Sequence, residues 1–161
     1  MNTTSADTVH ARTTKPYDPV RMIMSTPVAV LDVGATLREV AEELTRNEIG
    51  AVLVADASRT GLISERDLIT AFSAGGNIAH RQIGEVFTSD LVWCSPEDAI
   101  VDVGAIMTAT GVRHLPVGDH RTAIGIVSAR DVLTILVAST RDGSRHAKGK
   151  AAADAPPKPR R

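Results

Sequence analysis

The chain has 161 residues, 43% of them hydrophobic, with two Phe, one Trp, one Tyr, a single Cys and a formal charge of −1. No apolar run approaches the length of a membrane span, and one cysteine excludes an internal disulfide. The charge is uneven: residues 141–161 carry seven Lys and Arg against Asp142 and Asp154, a surplus of +5, so the remainder is −6 and poorly suited to broad nucleic-acid binding.

Residues 1–18 are polar and lack the apolar centre of a signal peptide, so they are expected to be a disordered tail on a cytoplasmic protein. An apolar segment at 20–24 leads to an expected strand over residues 28–30. Leu37, Val40, Ala41 and Leu44 then stand at helical spacing, with Thr36 and Glu39 as a capping box. Residues 51–54 read as a strand, and residues 62–63 as a closing strand after a polar turn at 57–60. A second helix carries Leu68, Ile69 and Phe72, and Gly75-Gly76 breaks the chain behind it.

The same order returns 63 residues on, so that Val20 matches Ile83. Residues 91–93 match the first strand. Ile100, Val103, Gly104 and Met107 match the first helix, with Asp98 as its expected cap. Residues 114–117 and 126–127 match the later strands, and Val132, Leu133 and Leu136 the closing helix. Each unit therefore reads strand, helix, strand, strand, helix. A unit of about sixty residues buries little apolar area alone, so the two are expected to share a core. The resulting partition is a tail at 1–18, units at 19–75 and 76–141, and a disordered basic Ala/Pro tail at 142–161. That tail is open at most to weak, salt-sensitive contact with polyanions.

The closing motif is the most informative. Gly61-Leu62-Ile63-Ser64-Glu65-Arg66-Asp67 returns as Gly125-Ile126-Val127-Ser128-Ala129-Arg130-Asp131. Each copy is a strand running into a helix start. Ser64 three residues before Asp67, and Ser128 three before Asp131, suit helix capping, which stabilises by roughly 1 kcal/mol with no ligand. Arg66 and Arg130 fit that account less well, because a cation in the first turn opposes the helix dipole. The same corner suits phosphate, through free backbone N–H groups, and sugar hydroxyls, through the carboxylate. Spacing leaves both readings open. The five histidines show no metal spacing. His114 stands at a strand start, either facing solvent or near a ligand. Cys94 reads as a buried, inert thiol. No nucleophile with an activating base, Walker loop or carboxylate pair is present, so no enzyme is expected.

Taken in order and twice, these motifs resemble a pair of CBS domains, the Bateman module, of a stand-alone bacterial type. The likeness covers about residues 19–140. It rests on the two closing motifs, on Met22-Ile23-Met24-Ser25-Thr26-Pro27-Val28 and on Gly111-Val112-Arg113-His114-Leu115-Pro116-Val117. The resemblance implies an α/β (α+β) fold of two β-α-β-β-α units related by a pseudo-twofold axis, with two clefts. It implies that the clefts bind AMP, ADP or ATP, or alternatively S-adenosylmethionine or an NAD-type ligand. Asp67 and Asp131 would hold ribose hydroxyls, and Ser64 and Ser128 would meet phosphate. Arg66 and Arg130 would neutralise it, and Thr26, Val28 and Val92 would help line base pockets. The implied function is regulatory sensing by a homodimer, passed to a partner protein or to the protein's own assembly. The alternative is an adaptor with vestigial clefts. Ser89-Asp90 replaces the Thr-Pro pair, and an acidic Asp90 at a cleft mouth would repel phosphate. The sequence does not say which cleft Asp90 lines.

Overall fold

The computed structural model describes residues 14–55, 60–119 and 122–140. The tail regions at 1–13 and 141–161 and the turn residues 56–59 and 120–121 lie outside the described residues.

The first unit holds β1 (Val30–Asp32), α1 (Leu37–Asn47), β2 (Ala51–Ala55), β3 (Thr60–Ser64) and α2 (Glu65–Ser73). The second holds α3 (Ile100–Thr110), β4 (His114–Gly118), β5 (Ala123–Ser128) and a helix α4 over residues 129–140. β1 pairs parallel with β2, Val30 beside Leu53, and β2 pairs antiparallel with β3, Ala51 beside Ser64. β4 and β5 repeat the antiparallel pair, His114 beside Ser128.

The expected strand at 91–93 is not formed. The second unit keeps only a parallel bridge from Cys94 to Val117. Proline accounts for the difference. In the first unit Leu53 N–H donates to Ala29 C=O at 3.0 Å. The residue aligned with Leu53 is Pro116, which has no N–H to give Val92.

The two cores do not follow the cut at 75/76. Val20 is fully buried against Ile100, Val103, Leu115 and Val127, inside the second unit. Its repeat partner Ile83 is fully buried against Leu37, Val40, Val52 and Ile63, inside the first. Backbone bonds hold each crossing. Val20 N–H donates to Asp98 C=O at 2.8 Å, and Ile83 N–H to Ala35 C=O at 2.9 Å. Residues 14–18, expected in the tail, also dock: Val101 N–H donates to Pro16 C=O at 2.9 Å and Ile100 N–H to Asp18 C=O at 3.1 Å. A middle layer of Ala51, Leu53, Leu62 and Ile126 joins the two sheets. β2 is buried on both faces as a result, with Val52 and Val54 in the first core and Ala51 and Leu53 in the middle layer. Gly61 allows the close approach of segment 87–92, because a Cβ there would lie 2.6 Å from Thr88 C=O and inside the Phe87 ring.

The capping box of α1 is present: Thr36 N–H donates to Glu39 Oε2 at 2.7 Å and Glu39 N–H to Thr36 Oγ1 at 3.3 Å. The Thr36 N–H and the Thr36 hydroxyl, both donating to Glu39 Oε2, hold that carboxyl below its usual range. Asp98 does not cap α3. The N-cap is Ala99, and the Asp98 carboxylate accepts Ser95 N–H at 2.8 Å instead. On α2 the core face is Leu68 and Ala71, while Ile69 and Phe72 are 69% and 71% exposed. On α4 Val132 is buried, whereas Leu133 is 59% exposed.

Candidate ligand-binding cleft

The crossing that buries Val20 also builds a cleft. Ser25 N–H donates to Ile126 C=O at 2.8 Å and Ile126 N–H to Ser25 C=O at 3.2 Å, which lays residues 24–29 beside β5. β5 ends at Ser128, the start of α4. β4, its hairpin partner, begins with His114 opposite Ser128. Thr26, Val28, His114, Ser128, Arg130 and Asp131 thereby line one cavity of about 890 Å³. That volume suits a nucleoside-sized ligand. The far wall comes from the first unit, from the end of α1 and from Glu65.

Ser128 and Asp131 form the capping pair the spacing suggested. Asp131 Oδ2 accepts Ser128 N–H at 3.0 Å and Ser128 Oγ–H at 2.6 Å, while Asp131 N–H donates to Ser128 Oγ at 3.3 Å. Capping occupies one carboxylate oxygen. Among the described residues the other, Oδ1, accepts no hydrogen bond and is open to a ligand hydroxyl. The Ser128 hydroxyl proton is already given to Asp131. Ala129 N–H is committed as well, to Arg113 C=O at 2.9 Å. An anion here must therefore be met mainly by guanidinium groups. Arg113 and Arg130 are exposed and make no ion pair among the described residues.

His114 stands in the middle of this wall. Burial pushes its pKa below the ordinary imidazole range, and Arg113 and Arg130 act the same way against opposing pulls from Glu65 and Asp131. It is held as a neutral imidazole, able to offer a donor and an acceptor. Gly50 makes room for it: a Cβ at Gly50 would lie 2.7 Å from His114 Nε2.

Ser64, Arg66, Asp67 and Val92 do not line this cavity. They belong to the pseudo-symmetric side. Ser64 N–H and Oγ–H both donate to Asp67 Oδ2 at 2.7 Å. Leu62 N–H donates to Thr88 C=O at 2.8 Å, with the return bond at 3.0 Å, so segment 87–92 lies beside β3. This settles which motif each leading segment serves. Thr26 lines the Asp131 cavity of the other unit, and segment 87–92, which carries Asp90, runs beside the strand that ends at the Ser64–Asp67 corner.

Sequence reasoning missed Arg113 as a wall residue, along with Glu43, Asn47, Glu48 and Glu65. A partial signal existed. The repeat aligns residues 50–51 with 113–114, which puts the starts of β2 and β4 in equivalent places. The reach of α1 over the cleft had no signal in the sequence. Among the described residues no group of three or more His, Cys, Asp or Glu is placed to hold a metal ion, and no helix is long and apolar enough to cross a membrane. Cys94 lies in the second core, its thiol pushed up to about 12 by burial and by Asp98.

Two repeats of helix, β-hairpin and helix exchange their leading segments around a nucleoside-sized cleft, the first led by β1 and the second by the Cys94–Val117 bridge alone. The chain belongs to the CBS domain family, whose model matches residues 20–74 and 83–138. It is 26% identical over 126 residues to the CBS domain-containing protein YhcV of Bacillus subtilis, covering 78% of this chain and 90% of that protein. Other curated relatives are longer, and the chain spans 39% and 43% of two of them. Among solved structures, a CBS-domain containing protein of Agrobacterium tumefaciens is 30% identical with a TM-score of 0.62, covering 67% of this chain and 88% of that one. The CBS domain pair of protein MJ0100, solved with 5′-methylthioadenosine and S-adenosyl-L-methionine, shares the fold at 21% identity with a TM-score of 0.69, covering 77% and 99%. A pair of CBS domains is a regulatory module rather than a catalytic one.

Proposed function

We propose that this chain is a cytoplasmic sensor that binds an adenosine ligand in the cleft beside Asp131 and passes its occupancy to a partner protein or to its own assembly. One observation carries the reading: a single cavity brings together Asp131 Oδ1 and two guanidiniums, none of them paired among the described residues, with the Thr26-to-Val28 segment. Asp131 accepts hydrogen bonds from the ribose diol, Arg113 and Arg130 meet phosphate, and Val28 packs against the base. AMP, ADP and ATP are the first ligands to test, followed by S-adenosylmethionine and NAD. The MJ0100 pair supports the adenosine moiety as the common element, since both of its ligands contain one. Asp67, Ser64, Arg66 and Val92 form the second, weaker site, beside the acidic Asp90. Signalling is by linkage, in which a ligand shifts an equilibrium only by its differential affinity for the two states. Exposed Ile69 and Phe72 on α2 and Leu133 and Val137 on α4 support self-association, and we assign a homodimer as the working form.

A thermal-shift panel tests the binding reading. A ligand at 100 times its dissociation constant stabilises the fold by about 2.7 kcal/mol. The native chain is expected to shift with at least one adenosine ligand, and Asp131→Ala to lose that shift. No shift with any member at millimolar concentration removes the sensor reading. An intact dimer in that case would leave a self-associating adaptor.

A further inference from the structure

The charges on the Asp131 cleft do not suit all adenosine ligands equally, and this step rests on the reading that the cleft takes one. Among the described residues Arg113 and Arg130 are the cations on its wall, and Glu43, Glu48, Glu65 and Asp131 are the acids. Glu43 is already engaged, by Arg46 at 2.9 Å and by Asn47 Nδ2 at 2.6 Å. Glu48 and Glu65 have no cationic partner among the described residues. The fold fixes where Glu65 points. Its N–H donates to Gly50 C=O at 3.1 Å, and its Oε2 lies 3.8 Å from the Cβ position of Gly50, the point that His114 Nε2 approaches to 2.7 Å. Glu65 thus reaches from the first unit's motif into the cleft of the second. Ala129, its counterpart, carries no charge. His114 adds none at neutral pH.

Two guanidiniums match one phosphate dianion. Each further phosphoryl group adds negative charge that meets no remaining cation among the described residues of this wall, with Glu48 and Glu65 on the same cavity. We infer that the Asp131 cleft selects adenosine ligands carrying one 5′ phosphate or none, and rejects polyphosphate tails.

Isothermal titration of the full chain with 5′-methylthioadenosine, AMP, ADP and ATP at low ionic strength tests this. Methylthioadenosine and AMP are expected to bind about tenfold or more tighter than ATP. The double variant Glu48→Gln/Glu65→Gln removes two exposed charges. It is expected to raise ATP affinity, relative to methylthioadenosine, by roughly three- to tenfold. Added salt, which needs no variant, is expected to narrow the gap in the native chain by screening. ATP binding as tightly as AMP, or a gap indifferent to both the variant and salt, overturns the charge selection while leaving the adenosine site standing. No heat with any of the four ligands takes down the underlying site reading and the selection with it.

Discussion

The two strand-to-helix corners, at Ser64–Asp67 and Ser128–Asp131, are built from matching parts and differ in what surrounds them. Both have a Ser-to-Asp capping pair through one carboxylate oxygen, with no bond to the other oxygen among the described residues, and an arginine in the first helical turn. The segment facing Asp131 carries Thr26-Pro27, whereas the segment facing Asp67 carries Ser89-Asp90. The acid from the closing motif is also one-sided: Glu65 lines the Asp131 cleft, and its repeat counterpart Ala129 carries no charge. A duplicated scaffold thus holds two electrostatically distinct strand-to-helix corners. The scaffold residues remain apolar and paired, while the rim residues have diverged.

Breaking the exchange that supports both clefts has the strongest consequence. Ile83→Ala is expected to destabilise the protein by about 2–5 kcal/mol in chemical denaturation, because Ile83 is fully buried in the first unit's core. A loss below about 1 kcal/mol would show that the exchanged segment is dispensable. Next comes the contrast between the two aspartates. Asp131→Ala is expected to weaken adenosine binding about ten- to a hundredfold, and Asp67→Ala to leave the tighter of the two binding events unchanged in titration calorimetry. The reverse ranking would exchange the assignment of strong and weak sites. A smaller change sharpens the comparison further. Asp90→Asn is expected to raise AMP affinity at the Asp67 cleft by roughly threefold, since it removes an exposed like charge.

The subtlest effect is on pH. The folded pKa of His114 lies below its ordinary value of 6.5, so the unfolded chain takes up its proton first as pH falls. The native chain is therefore expected to lose stability relative to His114→Gln as pH drops from about 6.5 toward the folded value, and to show no such difference above that window. Paired thermal melts across the range check the sign. A native chain that gains on the variant in acid would place His114 in a charged pair instead.

Much of the fold was legible in the chain. Spacing located α1, β2, β4 and the closing strand-to-helix corners, because helix and strand periods are local properties of a half-buried surface. It also identified Ile69, Phe72 and Leu133 as apolar helix positions, but not that they face outward. Periodicity marks a face without saying what covers it. The strand at 91–93 failed for a reason visible only in pairing, the missing donor at Pro116 opposite Val92.

The local chemistry of each corner was set by sequence, since a serine three residues ahead of an aspartate at a helix start meets it through neighbouring backbone alone. Which corner faces which leading segment was decided by tertiary structure. Val20 and Ile83 are each fully buried in the other unit's core, and backbone pairing of Ser25 with Ile126 and of Thr88 with Leu62 locks that exchange. Thr26 therefore joined Asp131, Asp90 joined Asp67, and Glu65 reached into a cleft that its own motif does not cap.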